Sequence, residues 1–267
     1  MWPTERPSVH NVGMTSIPGT QVIGRAAAVL RAVSGSMPRG LGTTAVATAT
    51  GLARPTAHRL LSSLAAEGFL DHDTATGRWV PGPELYLLGS VAAERYDITA
   101  IARPHARALA DASGESAFLS ARRGDETVCL LREDGAFPIR SHVLYEGIRF
   151  PLGVASAGLA ILAFLPDASV ERYLAHADLS RFGAAHAPEA VRERISVTRS
   201  RGYAVNPGLL VEGSWGMAAA VFDGSDQPAW ALSLTGIEAR FSAERRPELG
   251  RLLLDHAHRL TQALRGR

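Results

Sequence analysis

Lysine is absent from this chain of 267 residues, and cysteine occurs once, as Cys129. A single cysteine excludes an internal disulfide and a zinc site built from several thiolates. Because Cys129 lies in the apolar run 127–131, we expect an inert, buried thiol. No apolar run reaches the roughly 18 residues of a membrane-spanning helix, and no secretory signal is recognisable. The sequence therefore predicts a cytoplasmic protein with no membrane partner.

Charge is also sparse, with charged residues at 20%, hydrophobic residues at 46% and a formal net charge of +2. The length suits two domains, and the apolar content is sufficient for two cores. All 28 basic residues are arginine, a composition that a GC-rich genome explains without a functional cause. The segment 21–80 carries six arginines against three acidic residues, a local net charge of +3. This imbalance is compatible with nucleic-acid binding but does not establish it.

The most informative stretch is 54–67, whose periodicity predicts an amphipathic helix. Its apolar residues follow the spacing i, i+3, i+4 and i+7, and they are Ala57, Leu60, Leu61 and Leu64. The residues opposite or beside that stripe are Pro55, Thr56, His58, Arg59, Ser62 and Ser63. This outer face offers hydrogen-bond donors and a cation, with no carboxylate before Glu67. Such a face suits the edge of a nucleic acid.

The surroundings of this helix predict a winged helix-turn-helix. Thr43 or Thr44 is expected to cap a short helix that ends at Gly51, and the helix 54–67 follows after a tight turn. Next come two short strands around the turn at Gly77, typical of a wing. The predicted DNA-binding residues are Thr43, Thr44, Arg54, Thr56, His58, Arg59, Ser62 and Arg78.

These residues fall into two predicted groups. Thr43, Thr44 and Arg78 are expected to position the protein on phosphates. Base recognition is expected from Arg54, Thr56, His58 and Arg59, with Arg59 the strongest candidate because arginine pairs with the guanine edge. An isolated exposed arginine usually marks only a solvated helix face. That alternative is less favoured for Arg59, because this helix is the second of a helix-turn-helix.

The whole chain divides into four predicted segments. Residues 1–20 are expected to be a disordered tail, and 21–81 the winged helix-turn-helix. Residues 82–97 are expected to form a linker helix, whose apolar face needs a partner such as a second copy of the chain. Residues 98–267 mix helices and strands without strict alternation, which predicts an α+β domain on an antiparallel sheet. Strands are predicted at 116–121, 127–131, 140–143, 216–222 and 229–235, and a final helix is expected to open at Ser242.

Several short motifs now stand in a fixed order. They are Gly51-Leu52, the run 56–61, Glu67-Gly68-Phe69, Thr76-Gly77-Arg78, Ala102-Arg103-Pro104, Gly114-Glu115-Ser116, and the runs 162–166, 201–205, 221–223 and 233–236. In this order and spacing they resemble IclR-type transcriptional regulators over roughly residues 22–264. The resemblance implies a GAF-like effector-binding second domain. It also implies a dimer or dimer of dimers on a palindromic DNA operator, and a small metabolite that changes operator affinity.

The resemblance also implies a set of effector-binding residues in the second domain. They are Gly153, Ala155, Ser156, Ala157, Asn206, Trp215, Gly216, Met217, Ser233 and Thr235. This chain departs from the family pattern at Gly153, Leu159, Asn206 and Gly216, where the family often has a polar residue, Lys, Asp and Cys respectively. A less polar and roomier pocket is therefore expected. We hypothesise an effector larger or less charged than a two- or three-carbon oxoacid, such as an aromatic or weakly polar acid.

Two alternatives remain open at the level of sequence. An enzyme acting on a small molecule in the second domain would need a nucleophile–base pair or a metal cluster. The spacing around Ser156 does not fit a nucleophile elbow, and His256 and His258 point to different helix faces. No catalytic residue, metal ligand or cofactor is therefore predicted. A winged helix used only for protein contacts is disfavoured by the cationic outer face of helix 54–67.

The run Gly40–Ala45 fits a loose dinucleotide-binding fingerprint. That fingerprint requires a preceding strand, whereas a helix is predicted here.

Overall fold

The computed structural model describes residues 21–96 and 98–266, so the predicted tail lies outside the described residues. The chain divides into two compact units between Tyr96 and Asp97. Within the described residues, no helix is both long enough and apolar enough to cross a membrane.

The first unit is a helical bundle with a two-stranded hairpin. Its elements are α1 (Gln21–Ser34), α2 (Thr43–Thr50), α3 (Arg54–Ala66), β1 (Leu70–Asp73), β2 (Arg78–Pro81) and α4 (Pro83–Tyr96). The predicted stripe of α3 faces the core, where Ala57 and Leu61 are fully buried and Leu60 and Leu64 partly so. Burial of this face against α1 and α2 fixes which face of α3 remains exposed.

The turn between α2 and α3 depends on Gly51, which adopts φ +66° and ends α2 as predicted. The expected threonine cap of α2 is wrong, because the N-cap residue is Gly42 and no side chain caps the helix. The Thr43 hydroxyl instead accepts a hydrogen bond from the indole Nε1 of Trp79 at 3.0 Å. This bond joins the start of α2 to the wing.

The wing is held by local and long-range backbone contacts. In its turn, Asp73 accepts hydrogen bonds from the Ala75 amide and the Thr76 hydroxyl, which holds the pKa of its carboxyl below the ordinary value. Leu41 adds an antiparallel bridge to Trp79 of β2. The hairpin is therefore tied to the residues that precede α2.

The second unit is built on one six-stranded sheet, in agreement with the predicted α+β class. The strands are β3 (Ser116–Arg123), β4 (Glu126–Glu133), β5 (Arg149–Pro151), β6 (Ala204–Pro207), β7 (Ser214–Phe222) and β8 (Pro228–Ile237). Their order is β5-β4-β3-β8-β7-β6, and every neighbouring pair is antiparallel.

Helices cover both faces of this sheet. They are α5 (Ile98–Ser113), α6 (Ser156–Ala163), α7 (Asp167–His176), α8 (Pro188–Arg201) and α9 (Arg246–Arg265). Helices α5 and α9 pack with Met217, Leu232 and Leu234 in one core, whereas α6 to α8 pack with Ala218 and Ala231 in another. Because side chains alternate along a strand, the two cores lie on opposite sheet faces.

One predicted strand and the predicted start of the final helix are wrong in this unit. Residues 140–143 form no strand. They belong to a connection whose Leu144 and Ile148 pack over Phe118 and Cys129, and β5 takes the edge position beside β4. The final helix begins at Arg246 rather than at Ser242, whose carbonyl accepts the amide hydrogens of Arg245 and Arg246.

A buried ion cluster lies at the end of α5. The Glu115 side chain is 1% exposed, and its Oε1 accepts hydrogen bonds from Arg240 Nε at 2.7 Å and Arg245 Nη1 at 2.9 Å. Arg245 also donates to the Ser113 carbonyl. The cluster therefore ties the end of α5 to the segment that precedes α9.

Two histidines between α5 and α9 predict that the folded C-terminal unit loses stability in acid. His105 and His256 place their Nδ1 atoms 3.4 Å apart, and burial is the main cause that lowers the pKa of both imidazoles. The nearby charges are those of Asp255 and Arg259. Because the unfolded chain binds protons at these groups near pH 6.5, stability should fall as the pH drops below that value.

Urea unfolding between pH 8 and pH 5 checks this expectation. In the double variant His105→Gln, His256→Gln, the free energy of unfolding should depend less steeply on pH than in the native chain. His176→Gln is the control, because a hydrogen bond to Asp125 raises the pKa of that exposed imidazole and gives it the opposite sign. Identical slopes for the native chain and the double variant would contradict the expectation.

Candidate functional site

The outer face of α3 presents most of the predicted DNA-binding residues to solvent. Arg54, His58, Arg59 and Ser62 are exposed, and Thr56 is half-buried. Among residues 21–96 and 98–266, neither Arg54 nor Arg59 takes part in an ion pair. Their guanidinium groups are therefore available to an external acceptor such as a phosphate or a base edge.

An open hollow of about 480 Å³ lies between α2, the start of α3 and the wing. We call it the α2–wing hollow, and four predicted residues line it: Thr43, Thr44, Arg54 and Arg78. The amide hydrogens of the first turn of an α-helix have no intrahelical partner, and at α2 no side-chain cap satisfies them. Free amides at a helix N-terminus, with two guanidinium groups nearby, form a favourable site for a phosphate.

The remaining predicted DNA-binding residues lie outside that hollow. Thr56, His58, Arg59 and Ser62 continue along the helix, and the His58 ring meets the edge of Trp79 with centroids 6.5 Å apart. Arg78, which lines the hollow, donates from its guanidinium Nη1 to the Gly40 carbonyl at 3.2 Å, so the end of its side chain is held beside the residues that precede α2. The geometry separates the α2–wing hollow from a solvent-facing helix surface.

In the second unit, four positions of the sheet line up directly across neighbouring strands. Ser116 pairs with Thr235, Thr235 with Gly216, and Gly216 with Asn206. We call these four residues the cross-strand row. By strand alternation they lie on the face covered by α6. The structure thus brings three predicted effector-binding residues together and adds Ser116, which sequence reasoning missed.

Ser233 lies on the same face, two residues before Thr235 on β8. It is fully buried, and within the described residues its Oγ has no hydrogen-bond partner. A buried hydroxyl without a partner is uncommon and costs free energy unless another group satisfies it. This atom is therefore the clearest candidate for a contact with a bound molecule.

The N-terminus of α6 is held beside this row by a short loop, residues 152–155. Asn206 Nδ2 donates to the Val154 carbonyl at 2.9 Å, and Tyr173 Oη donates to the Leu152 carbonyl at 2.7 Å. A Cβ placed on Gly216 would lie 3.0 Å from Ser156 Oγ, so the start of α6 approaches β7 closely. No side chain caps α6.

Other predicted effector-binding residues are placed elsewhere. Met217 is fully buried with α5 and α9 on the opposite face, and Trp215 packs against that same core. Gly153, at φ +79°, adds no room, because the space for a side chain is filled by Val191 and Leu162. Ala155 and Ala157 are buried at the start of α6.

Further contacts near the row join residues far apart in sequence. The Ser141 and Ser214 hydroxyl oxygens lie 2.6 Å apart, and the Ser116 hydroxyl donates to Asp134 at 2.9 Å. His186 is fully buried, with Nδ1 2.8 Å from the Phe182 carbonyl and Nε2 3.3 Å from the Val154 carbonyl. No local pattern in the sequence predicts these contacts.

The described residues offer little for nucleophilic or metal chemistry. They contain no group of three or more His, Cys, Asp or Glu side chains that could hold a metal ion. Burial raises the pKa of the Cys129 thiol to about 12, so the thiol stays protonated and unreactive at neutral pH.

Comparison with known families matches both units. Residues 22–74 match the IclR helix-turn-helix domain, and residues 90–262 match the C-terminal domain of the bacterial transcriptional regulator IclR. The glycerol operon regulatory protein of Streptomyces coelicolor is 32% identical over 249 residues, covering 91% of this chain and 96% of that protein. The HTH-type transcriptional regulator KipR of Bacillus subtilis is 30% identical over 217 residues, covering 80% of this chain and 86% of that protein.

Solved structures show the same fold. An IclR transcriptional regulator from Alicyclobacillus acidocaldarius superimposes with a TM-score of 0.76 at 25% identity, covering 91% of this chain and 98% of that one. An IclR homologue from Microbacterium hydrocarbonoxydans, complexed with 4-hydroxybenzoate, gives a TM-score of 0.75 at 22% identity, covering 92% of this chain and all of that one.

Proposed function

The chain belongs to the IclR family of bacterial transcriptional regulators, and we propose that it binds a palindromic operator as a dimer or dimer of dimers. It is a DNA-binding regulator with an effector-binding C-terminal domain rather than an enzyme. We further propose that it acts in the cytoplasm, where bacterial DNA lies. The α2–wing hollow carries the proposal for the DNA contacts, because it places the uncapped amides of α2 and the Arg78 guanidinium beside Arg54 at the start of α3.

The division of labour on DNA follows from that geometry. Thr43, Thr44 and Arg78 hold phosphates at the hollow. Arg54, Thr56, His58 and Arg59 read base edges, with Ser62 further along the same face. The helix then lies in the major groove while the wing contacts the adjacent backbone.

Self-association rests on the surface of α4. Four of its large apolar side chains are exposed: Tyr86 at 76%, Val91 at 70%, Leu87 at 55% and Leu88 at 51%. Such a patch marks an interaction surface, and a second copy of α4 would cover it. Two copies related by a two-fold axis match a palindromic operator. In this proposal residues 21–81 bind DNA, 82–97 link and dimerise, and 98–267 bind the effector.

The proposed effector is an aromatic, weakly polar acid bound between α6 and the sheet. Ser233 Oγ supports it, because a ligand oxygen would satisfy this buried hydroxyl. The cross-strand row carries hydroxyl and amide groups but no charged side chain, which suits a weakly charged molecule. The uncapped N-terminus of α6 offers amide hydrogens to a carboxylate. The 4-hydroxybenzoate complex of the Microbacterium relative is a precedent for such a ligand in this fold.

Ser233→Ala tests the effector site. Removing a hydroxyl that has no protein partner should leave thermal stability unchanged or slightly higher, whereas affinity for 4-hydroxybenzoate should fall about tenfold, roughly one hydrogen bond. Titration calorimetry and thermal melts give the two readouts. Ser120→Ala, further along the same sheet opposite Ala231, is the control and should bind normally. Tight binding of pyruvate or glyoxylate with no binding of aromatic acids would overturn the effector assignment.

A further inference from the structure

A separate cavity of about 370 Å³ opens between the end of α7 and the start of α8. Its floor includes two short 3-10 turns, Ser180–Phe182 and Ala184–His186. This volume is at the lower end of the range for small-molecule sites. We call it the α7–α8 cavity. No residue of the cross-strand row lines it, so it is distinct from the proposed effector site.

The lining indicates an uncharged and mainly apolar occupant. Leu174, Leu179, Ala184 and Pro188 are among its apolar lining residues, and none of the described residues that line the cavity is an arginine. The only carboxylate in the wall is that of Asp178, whose Oδ1 accepts hydrogen bonds from the Ser180 amide and hydroxyl.

Charge at the cavity therefore disfavours anions. The bonds from Ser180 hold the pKa of Asp178 below its ordinary value, so the group is an anion at neutral pH. It would repel acids, and because Ser180 already satisfies it, it does not require a cation.

His186 connects this cavity to the effector site. Its ring forms part of the cavity wall and lies against the Val154 carbonyl through Nε2. The same carbonyl oxygen accepts the hydrogen bond from Asn206 of the cross-strand row. One backbone oxygen is thus shared between the wall of the cavity and the effector site.

The 152–155 loop contacts α7, α8 and the start of α6. Tyr173 of α7 holds the Leu152 carbonyl, and Val191 of α8 packs against Gly153. The next residue, Ser156, begins α6 and approaches Gly216. The loop therefore forms a continuous set of contacts from His186 to Ser156.

We propose that the α7–α8 cavity is a second ligand site, which takes an uncharged molecule of about one aromatic ring and acts through His186 on the 152–155 loop. Its regulatory meaning rests on the proposed function, whereas its existence as a binding site does not. Occupancy would change the order of the start of α6, and hence effector affinity, without a direct contact between the two ligands.

Two variants on one turn test the proposal. Ala184→Phe fills the cavity from an exposed lining position, whereas Ala185→Phe adds the same ring one residue on, outside the lining. Benzyl alcohol is the probe and benzoate the charged comparator. Titration with ¹⁵N-histidine-labelled protein should shift the His186 signals in the native chain and in Ala185→Phe. In Ala184→Phe the affinity should fall at least tenfold, with melting curves confirming that the variant is folded.

The coupling between the α7–α8 cavity and the start of α6 is measured by hydrogen exchange of the backbone amides of residues 152–160. Benzyl alcohol should change exchange there at least twofold in the native chain and leave it unchanged in Ala184→Phe. Unchanged benzyl alcohol binding in Ala184→Phe, or loss of binding in Ser233→Ala instead, would overturn the second site. Binding without any change in exchange would overturn the coupling. Neither readout uses operator or effector, so failure of the proposed function is distinguishable from failure of this inference.

Discussion

Glu115→Ala is expected to lower the free energy of unfolding of the C-terminal unit by roughly 3–5 kcal/mol. The carboxylate is 1% exposed and accepts hydrogen bonds from Arg240 and Arg245, whose side chains are 32% and 23% exposed. Removing it leaves two partly buried guanidinium groups without their counter-charge and releases the tie between α5 and the segment before α9. The loss exceeds that of an ordinary ion pair because the remaining charges stay partly desolvated.

Urea unfolding followed by tryptophan fluorescence measures this loss, since Trp215 and Trp230 lie on β7 and β8. Glu171→Ala is the matched control. Its carboxylate pairs with Arg192 on the surface, with side-chain exposures of 57% and 42%, so its removal should change the free energy of unfolding far less than that of Glu115. Equal effects of the two substitutions would contradict the buried-cluster interpretation.

Arg59→Ala is expected to weaken operator binding by about 1–3 kcal/mol, roughly 5- to 150-fold, and to relax preference at one base pair. The exposed guanidinium of Arg59 forms no ion pair within the described residues, so its loss should not disturb the fold. Arg78→Ala should act differently. Because it removes a phosphate contact, affinity should fall for all sequences, and the salt dependence should decrease by about one charge.

Selection from a random DNA library, followed by gel shifts at several salt concentrations, separates these two outcomes. Arg25→Ala is the control, because Arg25 is exposed on α1 and its guanidinium bonds only locally to Gln21. Unchanged affinity and an unchanged selected sequence for Arg59→Ala would remove Arg59 from the set of base-reading residues.

The sequence predicts α3 well because its information is local. Four apolar residues within eight positions define the buried face, and Gly51 marks the preceding turn through its positive φ. The order of the C-terminal sheet is not local. The pairing of Ser116 with Thr235 joins residues more than 100 positions apart, and no periodicity reveals it.

The failed strand at 140–143 has a physical reason. The stretch is Arg140-Ser141-His142-Val143, which has one apolar residue and therefore no alternation that would mark a half-buried strand. Here Leu144 and Ile148 cover Phe118 and Cys129, while the edge of β4 is taken by Arg149–Pro151.

The candidate effector site shows the same limit. Resemblance placed Asn206, Gly216, Ser233 and Thr235 in the predicted set, and the sheet register brings Asn206, Gly216 and Thr235 into line with Ser233 one step away. The predicted set also included Met217, whose side chain lies on the opposite face of the sheet because side chains alternate along a strand. Whether His186 reaches the Val154 carbonyl depends on how α7, α8 and two short turns pack, and this information is spread over the whole unit.

Trp79 joins the wing to the rest of the first unit before any DNA arrives. Its indole Nε1 donates to the Thr43 hydroxyl, its ring centroid lies 4.4 Å from that of His72 with the planes tilted by 44°, and its backbone pairs with that of Leu41. The conformational entropy of the wing is therefore largely lost during folding rather than during association. Operator binding then joins two preformed surfaces. Its association rate is set by diffusion and by the long-range electric field of the arginines, rather than by a disorder-to-order transition.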